Sequence, residues 1–599
     1  MVLNRVAADL AGVLAGTVAA AEAEGVLLAA EFLRPEGPRG TNSKAPIDTE
    51  MERRLCAALQ GLLACRFVGE ETGVTPGRDA ALADWCWLVD PQDGTTEFLA
   101  GRRGGAISIG LLRAGQPVLG VVHAPCPPDR DADTIAWAKG CGPVRRNGAP
   151  CAQRLERGAL SAGGFVWASA SAAVRPRSFA RAAHPARVIA LPSIAYRLAR
   201  VAAGDGVATV STHAISEYDI AAGAALISGA GGVLLDHDGR SVRFTGTEGA
   251  RVNGCAAGAP AAAAKLARFP WASLHEETRR TRRVSTAFPK VADALRLSRA
   301  HGVLLGQLVG DSLGSLVEFR DAASIRRQYP DGVRNLADGG SWDTIAGQPT
   351  DDSEMALALA RAIVARGGFA PDAARDAYQE WFRSAPFDIG GTTRAGLSGR
   401  PNAASEANGA LMRVSPIGVW AAGDPARAAS AAREDAALTH PNPVCVAASA
   451  AFAAAIAVGT AGDDAAAMGA AARAQADGPA REAIEAGAAG EPPADFQRHQ
   501  GWVCVALQNA FYRLLHSPSL EVGLIDTVGA GGDTDTNAAI AGALLGAAHG
   551  RAAFPLRWVL PVLACRALAE AGAKKPRPEA YWPDDALELA EALLRAGAR

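Results

Sequence analysis

The chain has almost no excess of charge of either sign: 60 lysines and arginines stand against 62 aspartates and glutamates, for a net charge of −2. These charges are spread along the sequence, which argues against a general nucleic-acid binder that relies on a basic surface. The ten cysteines occur singly from Cys56 to Cys565, with no CxxC pair and no Cys/His array. A zinc site and a disulfide framework are both disfavoured by that pattern, and a reducing cytoplasm fits it. The N-terminal run "MVLNRVAADLAGVLAGTVAAAEAEGVLLAAEF" is not read as a secretory signal. Asp9 interrupts it and Glu22 and Glu24 follow, so an amphipathic first helix is expected. No uninterrupted apolar run is read as long enough to cross a bilayer, so no membrane association is expected. Internal repeats are absent, as are low-complexity tracts beyond a general richness in alanine.

What is present is length and two textures. At 599 residues, 49% of them hydrophobic, the chain exceeds one ordinary core, and two or more domains are expected. The first 265 or so residues mix helices with short strand-like runs ended by turn residues: "FVGEE", "WLVD", "AISIGLL", "PVLGVVHAP" and "GVLLD". From about Asp293 the pattern becomes alanine-rich and helical. In "DSEMALALARAIV", Met355, Leu359 and Ile363 recur every four residues along one stripe. The division is 1–266, a connector over 267–292, and 293–599. The connector carries Arg279, Arg280, Arg282 and Arg283; a solvated linker is favoured over an RNA or acidic-partner contact.

In the first half, acidic residues gather at element ends. "WLVDPQDGTTEFLAG" closes a strand-like run with Asp90 and Asp93, which repel one another unless they cap a water-facing loop or hold a cation. "VGEET" adds Glu70 and Glu71, "IDTEMERRL" places Asp48 at a helix start, and "EYDIAAGAAL" places Asp219 before another helix. Four such clusters exceed what solvation explains, and hard oxygen ligands of this kind suit Mg²⁺. "GEE", "DPQDGT" and "YDIAAG" resemble the signatures of the inositol monophosphatase superfamily, which includes CysQ-type 3′(2′),5′-bisphosphate nucleotidases. "AKGCGPVRRNG" and "SIAYRLARVAAG" follow in the family's order. The resemblance implies a layered α/β sugar-phosphatase fold and Mg²⁺-dependent phosphomonoester hydrolysis with two or more ions. It implies Glu70, Asp90, Asp93, Asp219 and the Gln92 carbonyl as metal ligands. Asp48 and Thr95 are then a dyad that helps Glu70 activate water, and Gly94 and Thr95 contact the phosphate. Tyr218 departs from the family's usual tryptophan.

The second half carries "GQPTDDSEMALALA" and "GAGGDTDTNAAIAGALLG", each with two aspartates and a hydroxyl after glycine. Either alone reads as a helix cap. Side by side, the two would bring together carboxylates that two Mg²⁺ ions can bridge. With "GQLVGDSLGSLVEF", read as a Gly-Asp turn between helical runs, and with "SEANGALMRVSPIG" and "LTHPNP", the segment resembles the ADP-ribosylglycohydrolases. That resemblance implies an all-α domain whose two Mg²⁺ ions, held by Thr350, Asp351, Asp352, Asp533, Asp535 and Thr536, grip the distal ribose of an ADP-ribosyl group. It further implies a catalytic or gating Glu318, a proton-transfer role for Glu318 or an aspartate such as Asp352, and a supporting Asp311. Ser405, Asn408, Gly409 and His440 would contact ribose or diphosphate. The expected partners are a phosphate ester and an ADP-ribose-containing small molecule or ADP-ribosylated protein; the oligomeric state is left open.

Overall fold

A computed structural model describes residues 10–152, 154–271 and 288–598. The chain divides into two compact units, one running to Arg282 and including Thr286–Lys290, the other from Val291 onward with Arg283–Ser285. The arginines at 279–283 lie outside the described residues. At the described ends of the 267–292 segment, the Trp271 ring meets Phe269 and Phe179 in tilted contacts, while Phe288 meets Phe32 edge to face. Aromatic burial thus holds both ends against the first unit.

The first unit is layered. Its larger sheet contains β1 (Arg66–Gly69), β2 (Gly73–Thr75), β3 (Trp85–Asp93), β4 (Ala106–Arg113), β5 (Gln116–Ala124), β6 (Asp133–Ala138), β7 (Arg145–Arg146) and β8 (Ala149–Pro150), in the order β2-β1-β3-β4-β5-β6-β7-β8. The smaller contains β9 (Phe165–Ala168), β10 (Arg187–Ala190), β11 (Ala208–Ser216), β12 (Val233–Leu235) and β13 (Arg251–Gly258), in the order β10-β9-β11-β13-β12. Alternation along β4 sorts its faces. Ile107, Ile109 and Leu111 enter the core shared with helices α1 (Leu10–Phe32) and α2 (Pro46–Leu62). On the other face Gly110 and, from β5, Gly120 lie against the backbone of Ala221 and Ala222, leaving no room for a methyl group. Helices α3 (Ile194–Ala202) and α4 (Glu217–Gly229) therefore pack closely between the two sheets.

The second unit is helical throughout its described residues. Its centre is the pair α5 (Ala294–Gly314) and α9 (Thr534–His549), surrounded by α6 (Asp351–Arg366), α7 (Pro443–Ala461) and α8 (Val503–His516). Two expectations are corrected here. The Gly310-Asp311 segment is not a turn, because α5 runs through it without interruption. Its glycines serve close approach instead. A methyl on Gly302, Gly306 or Gly310 would collide with the backbone carbonyl of Gly546, Gly542 or Ala538, and one on Gly314 with Asp535. The second correction concerns apolar runs: Pro443–Ala461 and Leu10–Phe32 are both long and apolar enough to cross a membrane by length and composition. The first is an alanine-rich core helix, with Phe452 and Ile456 fully buried.

The glycine seam carries a stability prediction. Gly306→Ala should destabilise the second unit by roughly 1–3 kcal/mol through overpacking. Gly529→Ala, where an added methyl meets nothing within 4 Å, should change stability by less than about 1 kcal/mol. Hydrogen exchange of α5 and α9 in the full chain measures both; equal protection in the two variants would show that the seam tolerates side chains.

Candidate active sites

In the first unit, β1 and β3 run parallel with Gly69 opposite Val89, so Glu70 leaves its strand beside Asp90. Strand alternation alone would turn Asp90 and Asp93 to opposite faces. Between them the register with β4 slips: Asp90 pairs with Ser108 and Asp93 with Ala106, three residues against two. This bulge brings both carboxylates into one cluster. Asp90 Oδ1 accepts the Gln92 N–H at 2.7 Å. Asp93 Oδ2 accepts from Ser193 Oγ and the Ala195 N–H, both at 2.6 Å, at the start of α3. Asp219, third residue of α4, accepts the Ser216 N–H at 2.9 Å in a capping box.

These carboxylates feel one another. Burial, then the charges of Glu70, Asp219 and Asp93, pushes Asp90 well above the usual carboxylate range. Asp219 is pushed up by burial and by Asp93 and Glu70. Asp93 is raised by burial despite its hydrogen bonds to Ser193 and Ala195. Glu70 rises to about 7 through desolvation and the charges of Glu71 and Asp93. Thr95 Oγ lies 2.9 Å from the Gln92 carbonyl oxygen and 3.4 Å from Asp48 Oδ2, so its one proton has two acceptors. Asp48 is raised to about 8 by burial and by Glu71 and Glu70. Gly94 adopts φ +102°, ahead of a helix of only five residues, Thr95–Leu99. Glu52 was not singled out from the sequence. Four residues after Asp48 and therefore on the same helical face, it accepts the N–H groups of Glu71 and Thr72 at 2.9 and 2.6 Å and fixes the turn after Glu70.

In the second unit, Asp311 projects from α5 and caps another helix. Its carboxylate accepts the Thr350 and Ser353 N–H groups at 3.1 Å and Thr350 Oγ at 2.9 Å, which seats the start of α6 and thereby Asp351 and Asp352. Asp352 Oδ2 lies 3.3 Å from both Thr350 Oγ and Thr536 Oγ, tying α6 to α9. Asp351 Oδ2 accepts the Gly390 N–H at 3.2 Å, and Asp533 Oδ2 accepts from Asn408 Nδ2 at 2.7 Å. Glu318, just past α5, accepts the Trp342 indole N–H at 2.6 Å.

Asp388 joins this group unannounced by the sequence reading. Single carboxylate oxygens of Glu318, Asp388 and Asp535 all lie within 4.8 Å of one another. The available signal was an aspartate just before Gly390-Gly391, where a helix begins. Burial and neighbouring carboxylates raise Asp351 to about 6, Glu318 to about 8 and Asp388 to about 10, and hold Asp352 and Asp535 well above the usual range. His440 is fully buried; desolvation and Arg413 depress it to about 3, so its ring is neutral. Its Nδ1 meets Thr439 Oγ at 2.8 Å, while Nε2, without a partner among the described residues, faces Gly409. Ser405 Oγ lies 2.7 Å from Thr392 Oγ on the same side.

Both clusters fit a hard divalent cation held by oxygens. Asp48 Oδ1 and Asp352 Oδ1 are buried without a hydrogen-bond partner among the described residues. Burial first, and then mutual repulsion, raise these carboxylates, and a bound cation offsets both penalties.

The ADP-ribosylglycohydrolase family profile matches residues 292–597, and the inositol monophosphatase family profile matches residues 10–274. The ADP-ribosyl-[dinitrogen reductase] glycohydrolase of Rhodospirillum rubrum is 31% identical over 277 residues, covering 44% of this chain and 89% of that protein. The ADP-ribosylarginine hydrolase Tri1 of Pseudomonas putida is 28% identical over 283 residues, 44% of this chain and 74% of its own. For the first unit, the probable inositol 1-monophosphatase ImpA of Mycobacterium tuberculosis is 35% identical over 112 residues, 19% of this chain and 38% of that protein. The chain belongs to the ADP-ribosylglycohydrolase family through its second unit and joins to it, in its first, a domain of the inositol monophosphatase family.

Proposed function

We propose that the chain is a bifunctional Mg²⁺-dependent hydrolase. Its first unit is a phosphomonoesterase for a nucleotide or sugar phosphate and its second an ADP-ribosyl glycosidic hydrolase, the two acting together on phosphorylated ADP-ribose derivatives. The observation that carries this reading is the pair of separate carboxylate clusters, one per unit, each so crowded that its acids must be protonated or matched by cations. In the first, Glu70, Asp90, Asp93, Asp219 and the Gln92 carbonyl hold the metal. In the second, Thr350, Asp351, Asp352, Asp533, Asp535 and Thr536 do so, and Asp388 is added on the strength of its place against Glu318 and Asp535. Bound Mg²⁺ supplies charge neutralisation and Lewis acidity at each site. Thr95, with Asp48 behind it, orients the attacking water together with Glu70. Glu318, held by the Trp342 indole within 4.8 Å of Asp388 and Asp535, exchanges the proton at the bond being broken.

The relative named an ADP-ribosylarginine hydrolase favours a second reading, in which a CysQ-like nucleotidase is fused to an enzyme that removes ADP-ribose from arginine in proteins, without a shared pathway. A further alternative, a non-hydrolytic ADP-ribose sensor in the second unit, is disfavoured by the complete acidic set.

Profiling products by mass spectrometry from a library of ADP-ribose derivatives and 3′-phosphoadenosine 5′-phosphate separates these readings. Asp90→Asn should abolish phosphate release, by roughly 100-fold or more, while sparing ADP-ribosyl cleavage, and Asp535→Asn should do the reverse. Turnover of inositol phosphate alone would remove support for a shared pathway, and loss of both products in one variant would contradict two independent sites.

A second test needs no turnover. In chelator, the folded state holds protons on Asp351, Glu318 and Asp388 at about 6, 8 and 10, above their unfolded values. Stability from this source is full at acid pH and is lost as pH rises through those values. The melting temperature of chelated protein should therefore fall from pH 6 to pH 8, and Mg²⁺ should flatten the slope by taking the protons' place. A flat profile in chelator would count against the crowding argument.

A further inference from the structure

Arg577 belongs to none of the motifs read from the sequence, yet its side chain is 4% exposed and grips two separate parts of the second unit. On one side Nε donates to Glu354 Oε1 at 2.8 Å and Nη2 to Glu354 Oε2 at 2.7 Å. The Trp381 indole N–H also donates to that Oε2, at 2.8 Å, so the buried carboxylate is saturated. On the other side the guanidinium reaches the chain that leaves the helix Pro371–Arg383. Nη1 donates to the carbonyls of Ser384 at 3.0 Å and Ala385 at 3.3 Å, and Nη2 to Ser384 Oγ at 2.8 Å. Carbonyls at the end of a helix have no partner within it and carry partial negative charge, which suits a cation. Ala385 adopts φ +52°, the left-handed turn that ends many helices and usually falls to glycine.

Each grip leads directly to the carboxylate cluster. Glu354 stands in the first turn of α6, just after Asp351, Asp352 and Ser353. Asp388 lies three residues beyond Ala385, in the loop between the helices Pro371–Arg383 and Gly391–Leu397, where no strand register or helix start sets its place. Arg577 thus spans the gap between the helix that supplies two acids and the loop that supplies a third. Its own segment is anchored to the same helix start: Gln348 Nε2, two residues before Thr350, donates to the Lys575 carbonyl at 2.7 Å. The Arg577 N–H donates to the Ala567 carbonyl at 2.9 Å, and its carbonyl accepts the Trp582 indole N–H at 2.9 Å. A buried ion pair adds little net stability over apolar packing of similar volume. A planar guanidinium, by contrast, sets the distance and angle between the groups it joins, which a lysine does not.

We infer that Arg577 is a positioning residue of the second unit's metal site: it holds the Asp388 loop against the start of α6 and thereby sets how tightly the cluster takes its cations. This rests on the Mg²⁺-dependent reading of the second unit and adds a residue that acts through Asp388.

The test uses the full chain and follows Mg²⁺-dependent hydrogen-exchange protection of the amides at 533–537, at the start of α9 and remote in sequence from every substitution. Arg577→Lys, which keeps the charge beside Glu354 and loses the fork, should raise the Mg²⁺ midpoint roughly tenfold. Ser384→Ala leaves the buried ion pair whole and removes one acceptor on the loop side; it should raise the midpoint about threefold. Arg361 is the control. It joins α6 to the same C-terminal segment through Asp585 and the Ala580 and Trp582 carbonyls, away from the Asp388 loop. Arg361→Lys should lower the melting temperature while moving the midpoint less than about twofold, and in an Asp388→Asn background Arg577→Lys should likewise add less than about twofold. An unchanged midpoint in Arg577→Lys, or in Ser384→Ala where Arg577→Lys does not fold, overturns the role. So does an equal shift in Arg361→Lys, which marks general loosening, or a full tenfold effect that persists without the Asp388 carboxylate. Wild type with no Mg²⁺-dependent protection at 533–537 ends the metal reading of the second unit itself.

Discussion

Like charge forced together inside a protein is the constraint around which both units are organised. Three carboxylate oxygens within 4.8 Å, as for Glu318, Asp388 and Asp535, repel by at least about 3 kcal/mol per ionised pair at an effective dielectric of 20. Three such pairs amount to about 10 kcal/mol, comparable with the whole folding stability of a domain. A chain cannot carry that penalty as an accident of packing. It is met either by protons, and Glu318 and Asp388 sit well above the usual carboxylate range through burial first and neighbouring charge second, or by cations, which leave the carboxylates ionised and available. The first unit poses the same problem with Asp90, Asp93 and Asp219.

The two folds reach this crowding by unrelated means. In the layered unit the device is a one-residue bulge in β3, which cancels strand alternation so that residues three apart face one cluster. In the helical unit it is a seam of glycines every fourth residue on α5, against which α9 lies in backbone contact and brings Asp535 to the end of α5. Hydrogen-bonded carboxylates then act at one remove. Asp311 caps α6 and Glu52 holds the turn after β1, each spending its hydrogen bonds on backbone N–H groups while its charge still adds to the field of its cluster.

Much of this was legible in the sequence because motif residues sit at element ends, where spacing and composition report on them directly. Asp90, Asp93 and Asp219, and likewise Asp351, Asp352, Asp533 and Asp535, could be placed on helix starts or strand ends before any coordinates were known. Asp388 could not. It stands alone in a loop, and only the approach of Glu318 and Asp535 from remote parts of the chain makes it part of a cluster. The Gly-Asp segment at 310–311 was misread as a turn because glycine signals two things, a break in the chain and room for a neighbour, and sequence does not distinguish them. The apolar helix Pro443–Ala461 was undervalued for a related reason. Alanine contributes little to any single window, yet a whole helix of it is apolar on every face and buries itself in the core.

The arrangement around Glu318 shows how one residue can be fixed by its neighbours on both sides. The Trp342 indole holds its carboxylate and the Gly531–Gly532 loop holds the backbone after it. The same loop leads into Asp533, so the position of Glu318 and the position of a carboxylate contributed by α9 are set by one contact. The chemistry proposed for this site needs this kind of rigidity, since proton transfer and ligand geometry must hold within the same few tenths of an ångström. Phe319, at φ +63°, is held by the same contact, its N–H donating to the Gly532 carbonyl at 2.8 Å.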